Sequence, residues 1–108
     1  MKMIVAIVRP EKVYEVNSAL AEAGYGASTK WNVAGRGKQH GIQVGDIVYD
    51  EMSKSLLMVV CDEEDKNEII DVIMDSAQTG EEGNSGDGRI FVVPLEEAYT
   101  ISSRSKDD

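Results

Sequence analysis

Three short apolar runs constrain the fold of this chain, because each has the length of a β-strand and none is long enough for a buried helix. They are Met3–Val8, Leu56–Cys61 and Arg89–Val93, the last of which is apolar after its first residue. Runs without polar alternation are typical of strands that are buried on both faces. A fourth strand is predicted at Ala27–Ala34, where Trp31 and Val33 share one face.

Two amphipathic helices are predicted between these strands. The first begins at Pro10, which suits the first helical position because its missing N–H is not needed there, and it ends at Gly24 as a left-handed cap. The second follows Asp62, which is predicted to be its N-cap. Apolar residues recur at helical spacing in both segments, namely Val13, Val16, Leu20 and Ala23 in the first and Ile69, Ile73 and Ala77 in the second.

The predicted order is strand, helix, strand, long loop, strand, helix, strand, within 108 residues that form a single domain. This order predicts an α+β fold, a ferredoxin-like βαββαβ sandwich. Two helices cover only one face of a four-stranded sheet, so we expect a closed homo- or hetero-oligomer whose sheets bury the other face. The chain closes with a short edge segment, Glu96–Ile101, and a polar tail, residues 102–108, that is expected to be flexible.

No strand or helix pattern of apolar residues is present from Gly35 to about Ser53, where glycines are interspersed with charged and polar residues. We predict a long loop there, flexible over residues 36–53, and long loops in small domains are usually functional or disordered. Ile47, Val48 and Tyr49 are apolar residues within this segment and are candidate docking anchors for a partner protein.

Composition excludes several classes of function. The net charge of −9 argues against binding to nucleic acid or to an anionic membrane surface. Cys61 is the single cysteine, so no internal disulfide is possible, and the N-terminal apolar run is too short for a signal peptide or a membrane helix. We therefore expect a cytoplasmic protein. The lone His40 and Cys61 lie on different predicted elements, which gives no nucleophile arrangement and argues against an enzyme.

A glycine-rich turn joins the second helix to the last strand. It contains Gly80, Gly83, Gly86 and Gly88, and Arg89 follows it directly. Successive backbone N–H groups in such a turn form an anion-binding concavity, and a cation at its exit suits a phosphate. The alternative is an ordinary helix-to-strand connection that is rich in glycine.

Two motifs give the chain a family resemblance. Thr79-Gly80 together with Gly86–Val92 resembles the signature loop of the nitrogen-regulatory PII proteins, and Gly35–Gly41 resembles the base of their effector-sensing loop. The motifs follow each other in the family's order, and the resemblance extends over Lys2–Ile101. It implies a trimer with ATP or ADP sites between subunits and no catalytic residues.

The resemblance also implies site residues. The nucleotide-binding set is Thr29 at the adenine, with Gly35, Arg36, Gly37, Lys38 and Gln39 from one subunit and Gly86, Asp87, Gly88 and Arg89 from its neighbour. The 2-oxoglutarate set is Gln39, Gly41 and Lys54, in which Lys54 pairs with one carboxylate. Gln39 completes the shell of a Mg²⁺ ion held by ATP and 2-oxoglutarate, and an amide oxygen is a suitable hard ligand. Without the family, Gln39 is an ordinary polar loop residue.

The chain departs from the general family pattern at three places. The sensing loop is shortened, so Tyr49 does not align with the tyrosine that many bacterial relatives uridylylate, and we expect it to be unmodified. The glycine turn carries the extra residues Glu81–Ser85. Two C-terminal arginines of the family align with Thr100 and Ser102, and Arg104 or Lys106 are the possible substitutes. Each missing charge-assisted hydrogen bond to phosphate would forfeit about 1.5–3 kcal/mol.

The shortened loop, the segment Thr79–Asn84 and the ending Glu96–Ile101 most resemble the PII-like proteins encoded with nitrogenase. That branch implies a signalling subunit that binds dinitrogenase together with a paralogous PII-like subunit and is released by 2-oxoglutarate with Mg-ATP. The rival within the family is a regulator of an ammonium transporter or of another nitrogen-assimilation target. Outside it, an acyl-phosphate hydrolase and a trimeric metal-binding protein remain open.

Overall fold

The computed structural model describes residues 1–44 and 47–107, and the side chains of residues 1–34 and 53–107. Its strands are β1 (Lys2–Val8), β2 (Thr29–Val44), β3 (Ile47–Cys61), β4 (Gly88–Pro94), β5 (Tyr99–Thr100) and β6 (Ser105–Lys106). Its helices are α1 (Val13–Glu22) and α2 (Lys66–Ala77), each preceded by a 3₁₀ turn, at Pro10–Lys12 and Glu63–Asp65. Within the described residues, neither helix combines the length and apolarity needed to cross a membrane.

In the described part of the chain, the first four strands form one antiparallel sheet in the order β2-β3-β1-β4. Strand β1 is therefore central, with Val5 paired to Met58 of β3 on one side and to Phe91 of β4 on the other. Helices α1 and α2 pack together across one face of this sheet. The predicted α+β, ferredoxin-like sandwich is confirmed.

The core lies between that face and the helices. It comprises Ile4, Ala6, Val8, Val13, Val16, Leu20, Leu57, Val59, Cys61, Ile69, Ile73 and Ala77. The six predicted helix positions from Val13 to Leu20 and from Ile69 to Ala77 are thereby confirmed as buried, and each large side chain contributes about 1.5–3 kcal/mol by leaving water. Ala23, predicted with them, is only half-buried because it is the C-cap residue of α1.

Caps were predicted at the C-terminus of α1 and at the N-terminus of α2, and the structure agrees fully with the first of them. Gly24 has φ +97° and the Tyr25 N–H donates to the Leu20 carbonyl at 2.7 Å, so the left-handed cap is confirmed. The prediction that Asp62 is an N-cap holds for its position but not for a side-chain bond. Asp62 occupies the N-cap position of the 3₁₀ turn without a side-chain capping bond, and the backbone closes the turn, since Asp65 N–H donates to Asp62 O at 3.1 Å.

Strands β2 and β3 continue into the segment that was predicted to be a loop. Their backbones pair from Gly35 opposite Met52 out to Val44 opposite Ile47, with a register shift between Gly37 and Ile42. Strand β1 pairs with β3 only from Ser55 onward, so this part is a two-stranded ribbon beyond the sheet. Its ladder is made by backbone groups alone and needs no buried face, which is why the sequence lacks a strand pattern there.

The face of the sheet opposite the helices is apolar and open in the single chain. Trp31, Val60, Phe91 and Val93 are 38–47% exposed on it. Paired residues such as Met3 and Val60, or Met3 and Val93, share this face because directly opposite residues point the same way. The exposed surface predicted from two helices on a four-stranded sheet is thus present.

The C-terminal segment forms its own hairpin. Tyr99–Thr100 was predicted to lie in an edge segment, but it pairs with Ser105–Lys106 in a separate two-stranded sheet. The turn is closed by Arg104 N–H donating to Ile101 O at 3.2 Å. The Thr100 hydroxyl bonds the Asp107 carboxylate at 2.6 Å, so part of the predicted tail is paired.

Candidate anion-binding site

The loop between α2 and β4 is organised by one carboxylate. Asp87 Oδ1 accepts hydrogen bonds from Thr79 Oγ1 at 2.6 Å and from Arg9 Nε at 3.0 Å. Asp87 Oδ2 accepts from the backbone N–H of Thr79 at 3.1 Å and of Asn84 at 2.9 Å. A carboxylate offers about four acceptor positions, so these bonds engage the whole group within the loop.

The same bonds set the charge of Asp87. Partial burial, the largest single effect, raises the pKa of the carboxyl, but the hydrogen bonds from Thr79, Asn84 and Arg9 together outweigh it. The net result is a pKa well below the usual range for an aspartate. Asp87 is therefore ionised at any physiological pH and holds the loop as an anion.

Arg9 reaches this loop from the end of β1. Its Nη2 donates to the Ser85 carbonyl at 2.9 Å, in addition to the bond from Nε to Asp87. The Arg9 and Asp87 side chains are only 19% and 18% exposed. Sequence reasoning missed Arg9, because a contact between residues 78 positions apart leaves no local signal.

The extra residues Glu81–Ser85 are tied into the same network. Asn84 Nδ2 donates to the Thr79 carbonyl at 3.1 Å and to Thr79 Oγ1 at 2.9 Å. Thr79 thus donates to Asp87 and accepts from Asn84 through one hydroxyl. The insertion is accommodated as part of the turn, which sequence reasoning identified as a departure without finding its anchor.

Gly88 is required by close packing of the backbone. It has φ +116°, and a β-carbon there would lie 1.7 Å from the Ile7 carbonyl oxygen. Since Gly88 opens β4 opposite Val8 of β1, any side chain would push the strands apart at the loop exit. Gly80, Gly83 and Gly86 also have positive φ, as the predicted turn demands.

Lys54 links strand β3 to this loop. Its side chain is nearly buried, and its Nζ donates to the Gly86 carbonyl. The family resemblance implies that Lys54 binds 2-oxoglutarate and that Gly86 binds phosphate, and the structure brings these two residues into contact.

Thr29 and Arg89 are not brought together. Both are exposed on the open face of the sheet, with the Arg89 guanidinium 5.8 Å from the centre of the Phe91 ring. They stand on the two edge strands, β2 and β4, which are three strand spacings or about 14 Å apart.

A groove of about 410 Å³ borders the loop, between the end of α2 and the start of β4. The residues that line it include the apolar Ile73, Met74 and Ile90 and the charged Asp87 and Arg89. The loop therefore has an apolar surface adjoining its charged exit.

The C-terminal cations lie elsewhere. Asp107, at the base of the hairpin, borders a hollow with Met1 and Cys61, at the Lys2 end of β1. The glycine loop adjoins the Val8 end, about 20 Å away for six residues of extended chain. Arg104 and Lys106 are on this hairpin. They therefore lie near the end of the sheet that is opposite to the glycine loop of their own chain.

The remaining predicted residues lie outside the described side chains. The backbones of Gly35, Arg36, Gly37, Lys38, Gln39 and Gly41 follow β2, and those of Ile47, Val48 and Tyr49 follow β3. Their contacts with nucleotide, Mg²⁺, 2-oxoglutarate or a partner stay predictions. Among the described residues, no cluster of three His, Cys, Asp or Glu side chains is placed to hold a metal ion.

Comparison with known proteins gives consistent matches over the whole chain. A family model described as nitrogen regulatory protein P-II matches residues 1–105. A "nitrogen fixation nifHD region GlnB-like protein 1" of Methanobacterium ivanovii is 53% identical over 98% of both chains, as is a nifHD2 region counterpart of Methanosarcina barkeri. A "nitrogen regulatory protein P-II 2" of Methanothermobacter thermautotrophicus is 41% identical over 94% of this chain and 89% of its own.

Proposed function

Because this chain belongs to the P-II family of nitrogen regulatory proteins, we propose that it is a non-enzymatic sensor of ATP, ADP and 2-oxoglutarate that regulates nitrogenase by direct binding. The resemblance read from its two glycine motifs is confirmed, and with it a place among nitrogen regulatory proteins. Relatives named for the nifHD region of nitrogen fixation support nitrogenase as the target. An ammonium transporter or another nitrogen-assimilation protein is the alternative target.

The observation that carries the proposal is the closed network around Asp87. The loop from Thr79 to Gly88 is fixed by its own hydrogen bonds, and Arg89 stands exposed at its exit. A site that is already ordered binds its ligand without a further ordering cost. Backbone N–H groups beside an exposed guanidinium suit the phosphates of ATP or ADP.

The separation of Thr29 from Arg89 supports a site shared between chains. The open apolar face supports the oligomer that such a site requires, and the P-II family supports a trimer. In this arrangement Thr29 of one subunit meets the glycine loop of its neighbour, while Lys54 contacts the glycine loop of its own chain. The partner copies are identical chains or a paralogous subunit.

The contact between Lys54 and Gly86 supports coupling between the two ligands. Lys54 would hold one carboxylate of 2-oxoglutarate beside the phosphates, and Gln39 would complete the shell of the shared Mg²⁺ with Gly41 alongside. The ligand set would then favour one arrangement of the β2–β3 ribbon, whose residues Ile47, Val48 and Tyr49 dock on the target. Effector binding releases the target if it favours the undocked arrangement.

Calorimetric titration tests the sensor. The purified protein is titrated with Mg-ATP and then with 2-oxoglutarate, in wild type and Gln39→Ala. We expect 2-oxoglutarate to bind only when Mg-ATP is present, and Gln39→Ala to abolish that binding. Absence of ATP binding by the homomeric chain and by its mixture with a paralogous subunit would contradict the proposal. A pull-down with dinitrogenase, with and without the ligands, then tests the target.

A further inference from the structure

We propose that Arg9 is a positioning residue for the glycine loop, holding Thr79–Gly88 in its anion-binding form through Asp87 and Ser85. This inference rests on the proposed function for the identity of the ligand, although the geometry of the loop is tested separately. Arg9 lies outside the motifs that carry the family resemblance, and its importance follows from its contacts alone.

Arg9 is well suited to fix another segment because its own backbone is fixed. It has φ −63° and ψ 137° between β1 and the 3₁₀ turn, is followed by Pro10, and its carbonyl accepts from Lys12 N–H at 2.9 Å. From this fixed backbone position, the guanidinium donates two separate N–H groups to two acceptors of the loop, the Asp87 carboxylate and the Ser85 carbonyl. A planar guanidinium with two bonds defines the position and the orientation of what it holds.

The bond to Ser85 has a directional consequence. In a trans peptide the C=O and the following N–H point in opposite directions. Because Arg9 holds the Ser85 carbonyl, the N–H of Gly86 is turned away from Arg9. The next peptide is held in turn, since Lys54 bonds the Gly86 carbonyl and Asp87 N–H donates to Asn84 O at 3.1 Å. Arg9 therefore sets the direction of one backbone donor in the concavity.

Arg9 also balances charge at the site. Asp87 is an anion in the middle of a loop that is proposed to receive another anion, and Glu81 and Glu82 are close to it in sequence. The ion pair at 3.0 Å compensates Asp87, so an incoming phosphate meets donors without an uncompensated carboxylate behind them.

The test combines hydrogen–deuterium exchange of the loop with calorimetric titration of Mg-ATP. The variants are Arg9→Gln, Arg9→Lys and the control Lys12→Gln, which removes a cation of the same turn whose ion pair is with the exposed Glu15. We expect Arg9→Gln to lose protection at the Thr79 and Asn84 amides while α2 keeps its protection, and to bind Mg-ATP at least tenfold more weakly. Arg9→Lys should be intermediate, and Lys12→Gln should match wild type.

A double-mutant cycle shows whether Arg9 acts through Asp87. The combination of Arg9→Gln with Asp87→Asn should weaken binding no more than the worse single variant, because both changes open the same network. Additive losses would overturn the proposal, as would unchanged loop exchange in Arg9→Gln. If Arg9→Gln fails to fold, Arg9→Lys is judged in its place, and wild-type exchange and affinity in that variant would overturn the positioning role.

The two proposals fail in different ways. If the wild-type protein binds no Mg-ATP, either alone or mixed with a paralogous subunit, the sensor function is contradicted, while the exchange data still decide whether Arg9 holds the loop. Wild-type protein that binds Mg-ATP, with an Arg9→Gln variant of equal affinity, leaves the sensor standing and overturns the role of Arg9.

Discussion

The carbonyl oxygen of Ile7 occupies the space that a side chain on Gly88 would need, 1.7 Å from the position of an added β-carbon. Because this oxygen belongs to the backbone of the central strand, it cannot move aside cheaply. We predict that Gly88→Ala lowers the free energy of unfolding by at least about 2 kcal/mol, from steric clash and from strain at φ +116°.

Gly26→Ala is the matched control for this change, since an added β-carbon there meets no atom within 4 Å. Chemical denaturation of both variants gives the comparison. Equal stability of Gly88→Ala and Gly26→Ala would show that β1 and β4 do not approach as closely as described.

Acidification should weaken the loop through Asp87. The pKa of this carboxyl is lowered in the folded protein, so its stabilising effect is complete above the unfolded value of about 4 and is lost as the pH falls toward the folded value. At neutral pH, Asp87→Asn should cost about 1–3 kcal/mol because donors aimed at the carboxylate lose an acceptor. The difference in unfolding free energy between wild type and Asp87→Asn should narrow below pH 4. A difference that stays constant down to pH 2 would refute this role of Asp87.

The layered part of the fold was predictable because it obeys simple periodicities. Helical spacing from Val13 to Leu20 and from Ile69 to Ala77 places these residues in the core, and uninterrupted apolar runs identify the central strands. The ribbon formed by the end of β2 and the start of β3, from Gly35 opposite Met52 to Val44 opposite Ile47, was missed because its backbone pairing requires no apolar pattern. Asp62 was assigned a capping side chain that the turn does not use, because the backbone closes the turn.

The candidate site was predictable only where residues are close in sequence. Gly86, Asp87, Gly88 and Arg89 form a recognisable motif, whereas the cation that holds it, Arg9, comes from the other end of the chain. Composition and spacing record which residues a turn contains. They do not indicate which distant side chain completes the hydrogen bonds of the turn. The sequence therefore did not predict that the Asp87 carboxylate is hydrogen-bonded to Arg9 and to the loop's own donors.

Lys54 should be needed for the response to 2-oxoglutarate. We predict that Lys54→Gln lowers the affinity for 2-oxoglutarate, measured with Mg-ATP present, at least tenfold, because a neutral side chain cannot pair with the effector's carboxylate. Binding of Mg-ATP alone should fall less, since the contact of Lys54 with the phosphate loop is to a backbone carbonyl, that of Gly86, which the nucleotide does not need as a donor. Lys66→Gln, which removes a cation paired with exposed Glu63, is the control and should leave both affinities unchanged. Wild-type affinity for 2-oxoglutarate in Lys54→Gln would remove Lys54 from the effector site.

The open face of the sheet should be an interface between chains. Val60 lies on β3, one of the two central strands of that face, and is 47% exposed in the single chain. If this face is buried between chains, Val60→Asp places an unpaired carboxylate in an apolar contact. We predict that wild type has the mass of a trimer in light scattering and that Val60→Asp shifts it to a monomer with unchanged helical circular dichroism. Tyr14→Asp adds the same charge at an exposed position of α1 and should leave the trimer intact. A monomeric wild type, or a Val60→Asp variant that assembles as wild type does, would contradict an interface on this face.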